Sequence, residues 1–314
     1  MITFLNKLYK IPVVMGNELL RMWWFVLLGI LLGALIKTYK LDRKLYKILN
    51  KREISMIFFA VFIGVFSPLC SCGIMPVVIT LIECGIPLPP VMALFVTSPI
   101  MSPDALVFTY GVLGSGMAIA KLVGAILMGL LAGFTAYFLQ KINFFDTDIL
   151  KTHKFIDSCI VKAKDMENKA PGDIPIDTKL ASNKLDFFFK RAKELFRFMV
   201  KFVLIATFIE AIMVIFIPVE WVASFLGNNN LLSPVWATFA GIPLPVNGVS
   251  VVPLLSGLMK NGMGQKAAVS FMLAGPVTSI PAIVALNGMF KKQAVITFLM
   301  ISITGSIILG YLLG

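Results

Sequence analysis

The sequence predicts an all-α polytopic membrane protein made of two inverted-topology repeats with broken and re-entrant helices. The prediction comes from a strongly apolar composition, apolar spans that alternate with proline-interrupted ones, and a second half that resembles the first. Hydrophobic residues make up 58% of the 314 residues and charged residues 14%, and the mean hydropathy is +0.91. Soluble domains are roughly half apolar and about a quarter charged, so this composition indicates a membrane protein.

Four continuous apolar stretches are long enough to cross a bilayer, which takes about 20 helical residues. They cover residues 17–37, 115–139, 196–217 and 293–313. The stretches between them are interrupted by prolines. These are Pro68, Pro76, Pro99 and Pro103 in the first half, and Pro243, Pro245, Pro253, Pro276 and Pro281 in the second. Unwound backbone at membrane depth must be buried in protein or line a wet cavity, so four broken segments predict a polar central site.

The two halves superpose without gaps in one register, called here the repeat register, which places Gly64 on Gly241 and Pro76 on Pro253. Ten of the 48 pairs from residue 64 to residue 111 are then identical, and most of them are Gly or Pro. The same register places the long flanking spans on each other. An internal duplication explains this better than a chance alignment of two Gly- and Pro-rich segments.

Loop charges predict that the two repeats are inverted. The 28 Lys and Arg residues exceed the 16 Asp and Glu residues, giving a net charge of +12, but they lie between apolar spans and form no nucleic-acid-binding face. Seven of them crowd residues 37–52, whereas the counterpart loop 218–230 has none. Because cytoplasmic loops are enriched in Lys and Arg, the equivalent loops are predicted to face opposite sides.

The predicted organisation has four parts: a lipid-contacting interfacial arm (1–16), repeat 1 (17–140), a cytoplasmic linker (141–195) and repeat 2 (196–314). The arm is too weakly apolar for a signal peptide and is expected to stay on the mature chain. Residues 141–194 carry 11 Lys or Arg and 9 Asp or Glu, a composition typical of a polar linker.

Two cysteines stand in the first break, in the stretch FSPLCSCGIMP. Cys70 and Cys72 could present two sulfurs to one soft ion, such as Cu(I), Zn(II) or trivalent arsenic. Ser71 and Gly73 share the break, and a helix N-terminus there would favour thiolate. Buried cysteine is also an ordinary small apolar residue, but a pair placed in a helix break favours function.

The repeat register pairs Cys70 with Asn247, so the second half keeps the prolines and loses the thiols. The predicted substrate site is therefore asymmetric. Its polar partners from the second half are Asn247, Ser250, Thr278 and Ser279. Cys84 is predicted at the tip of a hairpin. It would add a third sulfur to the metal ligands if that tip folded back to the first break.

Ionisable residues inside a bilayer are costly and usually functional. Asp104, in the second break, is the leading candidate for an ion-coupling carboxylate, and Glu210 is a second candidate that could instead reach the interface. Lys121 is expected near a span end, with its ammonium reaching the interface. No phosphate-binding loop or hydrolase triad is visible. We therefore predict that the protein is not an enzyme, has no cofactor, and is driven by an ion gradient or by the gradient of its own substrate.

The motif around Cys70 and its echo in the second half, GIPLPVNGVSVVP, resemble the family of predicted bacterial permeases that includes the ArsP organoarsenical efflux proteins. The resemblance covers nearly the whole chain except the linker. Cys70, Cys72, Gly73 and Pro76 match the first family motif, and Thr97, Ser98 and Pro99 match the second. It implies an inner-membrane permease whose cargo is a trivalent organoarsenical or a soft metal ion.

The predicted mechanism is export by alternating access, with thiol exchange onto Cys70 and Cys72 and with protons as the coupling ion. Three alternatives stay open: a permease for another small sulfur-containing solute, a membrane thiol-redox protein, and a scaffold or receptor that transports nothing.

Overall fold

A computed structural model of the chain describes residues 53–67, 69–83, 86–142, 232–242, 244 and 249–314, with individual positions within 12–34 and 189–212. The secondary structure elements of these residues are helices. They are α1 (Glu53–Phe66), α2 (Ser71–Glu83), α3 (Leu88–Ile100), α4 (Pro103–Lys141), α5 (Ser233–Gly241), α6 (Val251–Lys260), α7 (Gln265–Thr278), α8 (Ile280–Met289) and α9 (Lys292–Leu313). A further helical run occupies residues 26–34.

The all-α polytopic membrane fold is confirmed. Three helical stretches of the described residues are long and apolar enough to span a bilayer: Pro103–Lys141, Gln265–Val284 and Lys292–Leu313. Two of them contain the predicted spans 115–139 and 293–313. The predicted spans 17–37 and 196–217 are described only in part, and most of the arm 1–16 and of the linker 141–195 lies outside the described residues.

The helix breaks lie beside the prolines rather than on them. Pro76, Pro99 and Pro276 are inside α2, α3 and α7, whereas Pro103 begins α4. The chain is non-helical at Ser67–Cys70 where it is described, at Met101–Ser102 and at Ser279. Proline fits the first turn of a helix because the missing N–H has no helical acceptor there. Pro103 and Pro281 occupy such positions after the breaks at Met101–Ser102 and Ser279, whereas α2 begins at Ser71, five residues before Pro76.

Helix bounds recur in the repeat register. In this register, residues 88–100 of α3 correspond to residues 265–277, and α7 occupies nearly the same range, Gln265–Thr278. The start of α4 falls on Ile280, where α8 begins, and Gly114 falls on Lys291, which separates α8 from α9. Gly114 itself is non-helical, with φ +87°, so α4 is also two arms joined at an elbow. Both halves thus contain the same succession of helices and interruptions.

Close helix contacts also recur in this register. An added Cβ on Gly133 would meet Ala93 at 3.1 Å, and one on Gly310 would overlap Ser270, which is the equivalent pair. Thr238 and Ser306 lie 3.4 Å apart through their hydroxyls, and their equivalents Val61 and Gly129 are also in contact. Small residues at the same positions let the same helix pairs approach closely in each half.

The two halves share one hydrophobic core. Residues of both halves belong to the main buried cluster, and α7 packs against α3 and α4 while α9 packs against α4. The rings of Phe95 on α3 and Phe298 on α9 lie 5.1 Å apart. An added Cβ on Gly124 of α4 would approach Leu273 of α7 at 2.8 Å. The breaks are therefore held at a packed junction between the halves.

Leucine at Gly133 or Gly310 is expected to lower the free energy of unfolding by about 1–3 kcal/mol, the usual cost of overpacking. The two glycines lie at equivalent close contacts between helices, one in each half. Both substitutions should therefore lower the midpoint of thermal unfolding measured in detergent. Gly116→Leu is the control, because no atom lies within 4 Å of an added Cβ there. Equal midpoints for all three variants would contradict the packing assignment.

Candidate functional site

The first break ends at Cys70, directly before helix α2, which contains Cys72. The carbonyl oxygen of Cys70 accepts the N–H of Ile74 at 3.0 Å, so Cys70 caps α2 and Cys72 is the second residue of that helix. Cys70 is a half-buried thiol. Ser98 is fully buried on α3, and its hydroxyl donates to the carbonyl oxygen of Leu69 at 3.1 Å. A side chain thus replaces the donor that an intact helix would supply in the break.

Ser71 connects the cysteine motif to the second half of the chain. Its Oγ donates to the carbonyl oxygen of Pro276 at 3.0 Å. Pro276 lies in the last turn of α7, where carbonyl groups have no partner within the helix. The break at Ser279 follows three residues later. The hydrogen bond therefore brings the first break of one half to the second break of the other.

Pro76 changes the backbone next to the thiols. Because proline has no N–H, the carbonyl oxygen of Cys72 lacks its usual donor four residues on. The carbonyl of Pro76 itself accepts the Thr80 hydroxyl at 2.8 Å. Pro76 thus removes one backbone donor from the first turns of α2, shortly after the Cys-Ser-Cys-Gly motif.

The helical run 26–34 packs directly on this turn. An added Cβ on Gly29 would overlap the carbonyl oxygen of Gly73, and one on Gly33 would lie 3.1 Å from Thr80 Oγ1. Gly73, the last residue of the Cys-Ser-Cys-Gly motif, is itself buried. Backbone therefore meets backbone on this side of the motif, which fixes the position of the first turn of α2.

The other predicted polar residues lie in different surroundings. Thr97 is fully buried, bonds to the Ala93 carbonyl at 2.8 Å and packs against Gly64 and Gly129. Its side chain thus fills the contact of α3 with α1 and α4. In the second half, Thr278 bonds to the Ala274 carbonyl at 2.9 Å.

Ser279 is buried within its break, and Ser250 is exposed at the start of α6. Asp104 lies exposed in the first turn of α4, where a helix N-terminus favours negative charge. Cys84, Asn247, Glu210 and the side chain of Cys72 lie outside the described residues. Ser71 and Ser98 are thus the predicted site residues whose contacts connect separate broken segments.

The expectation that Lys121 reaches the interface is wrong. Lys121 is fully buried, and its Nζ donates to Thr109 Oγ1 at 3.1 Å. The error arose because the apolar span was taken to start at residue 115, which put Lys121 near its end. Helix α4 begins well before that, at Pro103, and bends at Gly114, which places Lys121 inside the protein.

Among the side chains that the structure describes, no group of three or more His, Cys, Asp or Glu residues could hold a metal ion. Cys84 and the side chain of Cys72 are not among them. The described polar groups near the first break are one thiol, serine hydroxyls and backbone carbonyls.

Comparison with known proteins places this arrangement among membrane permeases. The ArsP_1 family profile, described as "Predicted permease", matches residues 7–314. A Streptococcus mutans protein named "Putative two-component membrane permease complex subunit" is 24% identical over 277 residues, which is 87% of this chain and 85% of the relative.

Two other relatives carry names without an activity. The UPF0718 protein YcgR of Bacillus subtilis is 23% identical over 289 residues, covering 91% of this chain and 90% of its own. The UPF0718 protein YraQ of Escherichia coli is 22% identical over 295 residues, covering 93% and 77%. No solved structure matches.

Alanine at Gly29 is expected to lower the free energy of unfolding by about 1–3 kcal/mol, because the added methyl group meets backbone that cannot rotate away. The midpoint of thermal unfolding of the purified protein measures the effect. Gly111→Ala is the matched control, since an added Cβ there meets no atom within 4 Å. A wild-type midpoint for Gly29→Ala would contradict the contact with Gly73.

Removing the Ser98 hydroxyl is expected to cost about 1–3 kcal/mol, the penalty for a buried acceptor left unpaired. Ser98→Ala should therefore unfold at a lower temperature than the parent protein. Thr304→Ala provides the comparison, because Thr304 is exposed and its hydroxyl bonds within its own helix, to Met300 and Ile301. Similar losses for the two variants would argue against a special role for the Leu69 bond.

Proposed function

The chain belongs to the ArsP_1 family of predicted permeases, and from this premise we propose that it exports trivalent organoarsenicals or soft metal ions across the inner membrane. The cargo exchanges onto Cys70 and Cys72 at the first helix break and leaves by alternating access. The observation that carries the proposal is the hydrogen bond from Ser71, the residue between the cysteines, to Pro276 of the other half.

This hydrogen bond supports a site at the junction of the halves. In transporters built from inverted repeats, cargo binds near the membrane midplane, between discontinuous helices of the two repeats. The recurrence of helix bounds in the repeat register supports such a duplication here. The proposed repeats are 17–140 and 196–314, which face opposite sides, and the cytoplasmic linker 141–195 joins them.

The chemistry of the first break favours a soft cargo. Thiolates prefer Cu(I), Zn(II) or trivalent arsenic, and trivalent methylarsenic has two exchangeable bonds that match two thiols. The hydroxyls of Ser71 and Ser98 form hydrogen bonds at the first break, and Thr278 and Ser279 follow Pro276 in the second half. Asn247, Ser250 and Cys84 complete the proposed ligand set, and Asp104 and Glu210 are the proposed coupling carboxylates.

Two competing functions make different predictions for the same cysteines. A thiol-redox protein would cycle Cys70 and Cys72 through a disulfide, which thiol trapping would detect. A permease for another small sulfur-containing solute would keep the thiols reduced and transport without arsenic. The position of the motif favours passage of a cargo over contact with a redox partner, because Ser71, between the two cysteines, bonds to the other half of the same chain.

The test is uptake of methylarsenite by everted membrane vesicles. The Cys70→Ser/Cys72→Ser variant is expected to lose at least about tenfold in uptake, since the soft ligands are gone. Cys159→Ser, which removes the linker cysteine, is the matched control and should transport normally. Undiminished uptake by the double variant would rule out thiol exchange.

A further inference from the structure

We propose that Phe95 and Phe298 form an apolar gate between the two halves. The gate closes the route from one face of the membrane to Cys70 and Cys72, and it admits neutral molecules rather than hydrated ions. This inference deepens the function proposed above and rests on it, because the gate determines which of the two proposed cargo classes can reach the thiols.

The gate borders a small apolar cavity at the junction of the halves. The cavity has a volume of about 10 Å³, which is about the space that one water molecule needs. Its wall is formed by α2 and α3 of the first half and by α8, α9 and Phe290 of the second. The described side chains that line it are all apolar. Since a buried water needs polar partners, this cavity stays dry and suits an apolar group.

The cavity lies between the cysteine motif and one end of the helix bundle. At about 1.5 Å per residue, Val78 is about 10 Å from the start of α2, and Phe95 is about 8 Å from the end of α3. Both of those helix ends lie at breaks. On the other side, Ala294 lines the cavity from the first turn of α9, which begins at the exposed Lys292. The cavity thus occupies the interval between the breaks and the end of the bundle where α9 begins.

The two phenylalanine rings close the inner end of this cavity. Phe95 belongs to the first half and Phe298 to the second, and their ring centroids lie 5.1 Å apart. Phe95 stands one turn before Ser98, whose hydroxyl bonds to Leu69 beside Cys70. The other cavity residues of α3 and α9 come earlier along their helices, nearer the end where α9 begins: Val91, Met92, Ala294 and Val295. The rings therefore separate the cavity from the cysteine motif.

Helix α8 is the element that moves when the gate opens. It contributes Leu286 to the cavity wall and packs against α2, α7 and α9. Non-helical residues stand at both of its ends, Ser279 before it and Phe290 with Lys291 after it. A few residues at the ends of an element are enough to absorb the changes in φ and ψ of a hinge. Helix α8 thus has a hinge at each end.

Separating the two rings breaks no hydrogen bond between them. Their contact is held by burial and dispersion, so it leaves no unpaired donor or acceptor when it opens. In the repeat register the equivalent residues are Met272 and Lys121. Lys121 is fully buried and its Nζ donates to Thr109 Oγ1, so opening that side would disturb a buried ammonium. The side with the two rings therefore opens at the lower cost.

An apolar gate selects its cargo by charge. Hydrophobic constrictions exclude water, and an ion must lose its hydration shell to pass them. Methylarsenite is uncharged at neutral pH, as CH3As(OH)2, and its methyl group gains from contact with apolar side chains. Of the two cargo classes proposed above, the neutral organoarsenical therefore passes this gate and the hydrated metal ion does not.

The test measures how fast thiol reagents modify Cys70 in a chain whose other three cysteines are changed to serine. A neutral reagent, methyl methanethiosulfonate, is compared with its trimethylammonium-ethyl analogue, which carries a permanent charge and does not cross membranes. Everted vesicles expose the cytoplasmic face, where the loop charges predict Lys291 and Lys292. Mass spectrometry of the peptide gives the extent of modification, and rates are normalised to those of glutathione.

Phe298→Ala is expected to raise modification by the charged reagent about tenfold in everted vesicles, because the constriction then admits water and a charge. Phe95→Ala removes the other ring and should give the same rise. Phe298→Leu keeps an apolar side chain and should stay near the parent rate. Phe271→Ala is the matched control: Phe271 is fully buried on α7 and lies outside the cavity wall, so its loss makes a hole without opening the gate.

Three results would overturn the gate. The first is a parent rate of modification in both ring variants. The second is an equal rise in Phe271→Ala, which would indicate a loosened fold. The third is an equal rise in right-side-out vesicles, because the gate closes the route from one face only.

The modification does not depend on arsenic, which separates this inference from the proposed cargo. If the ring variants give the expected rise while parent vesicles take up no methylarsenite, the cargo is wrong and the gate stands. If uptake depends on Cys70 and Cys72 while the ring variants are modified at the parent rate, the gate is wrong and the cargo stands.

Discussion

The requirement that every backbone polar group in a bilayer has a partner governs this structure. Helices normally meet it internally, so each interruption needs help from elsewhere. Two serine hydroxyls supply it at the described breaks, one from Ser98 to Leu69 within the first half and one from Ser71 to Pro276 between the halves. The same bonds that satisfy carbonyl groups at the breaks also connect the segments that carry them.

Helix bounds and close glycine contacts recur in both halves in the repeat register. The groups that bond across the breaks do not recur: the hydroxyls of Ser71 and Ser98 correspond to Gly248 and Gly275, and the buried Lys121 corresponds to Phe298. Among the described residues, the two halves thus share the positions of their helices, while the hydroxyls that bond across the breaks belong to the first half.

The repeat predicted that the same succession of helices occurs twice, and the prolines predicted two of the breaks, because Pro103 and Pro281 stand in the first turn of the helix that follows. Pro76, Pro99 and Pro276 lie inside helices instead. Two features depended on tertiary contacts and could not be predicted in that way. Thr97 looked like a ligand by its motif but packs against Gly64 and Gly129. Lys121 looked interfacial because a hydropathy window does not register the bend at Gly114, a single residue with positive φ.

The contact between the helical run 26–34 and α2 has a consequence for the route of any solute. The two backbones are in contact at Gly29 and Gly73, and Gly33 contacts Thr80 one helical turn further along. These contacts close this side of the first turns of α2 at the two glycines. A solute that bound the cysteines as proposed would pass on the other side of α2, where Ser71 bonds to Pro276 of the second half, and an inhibitor would have to fit there.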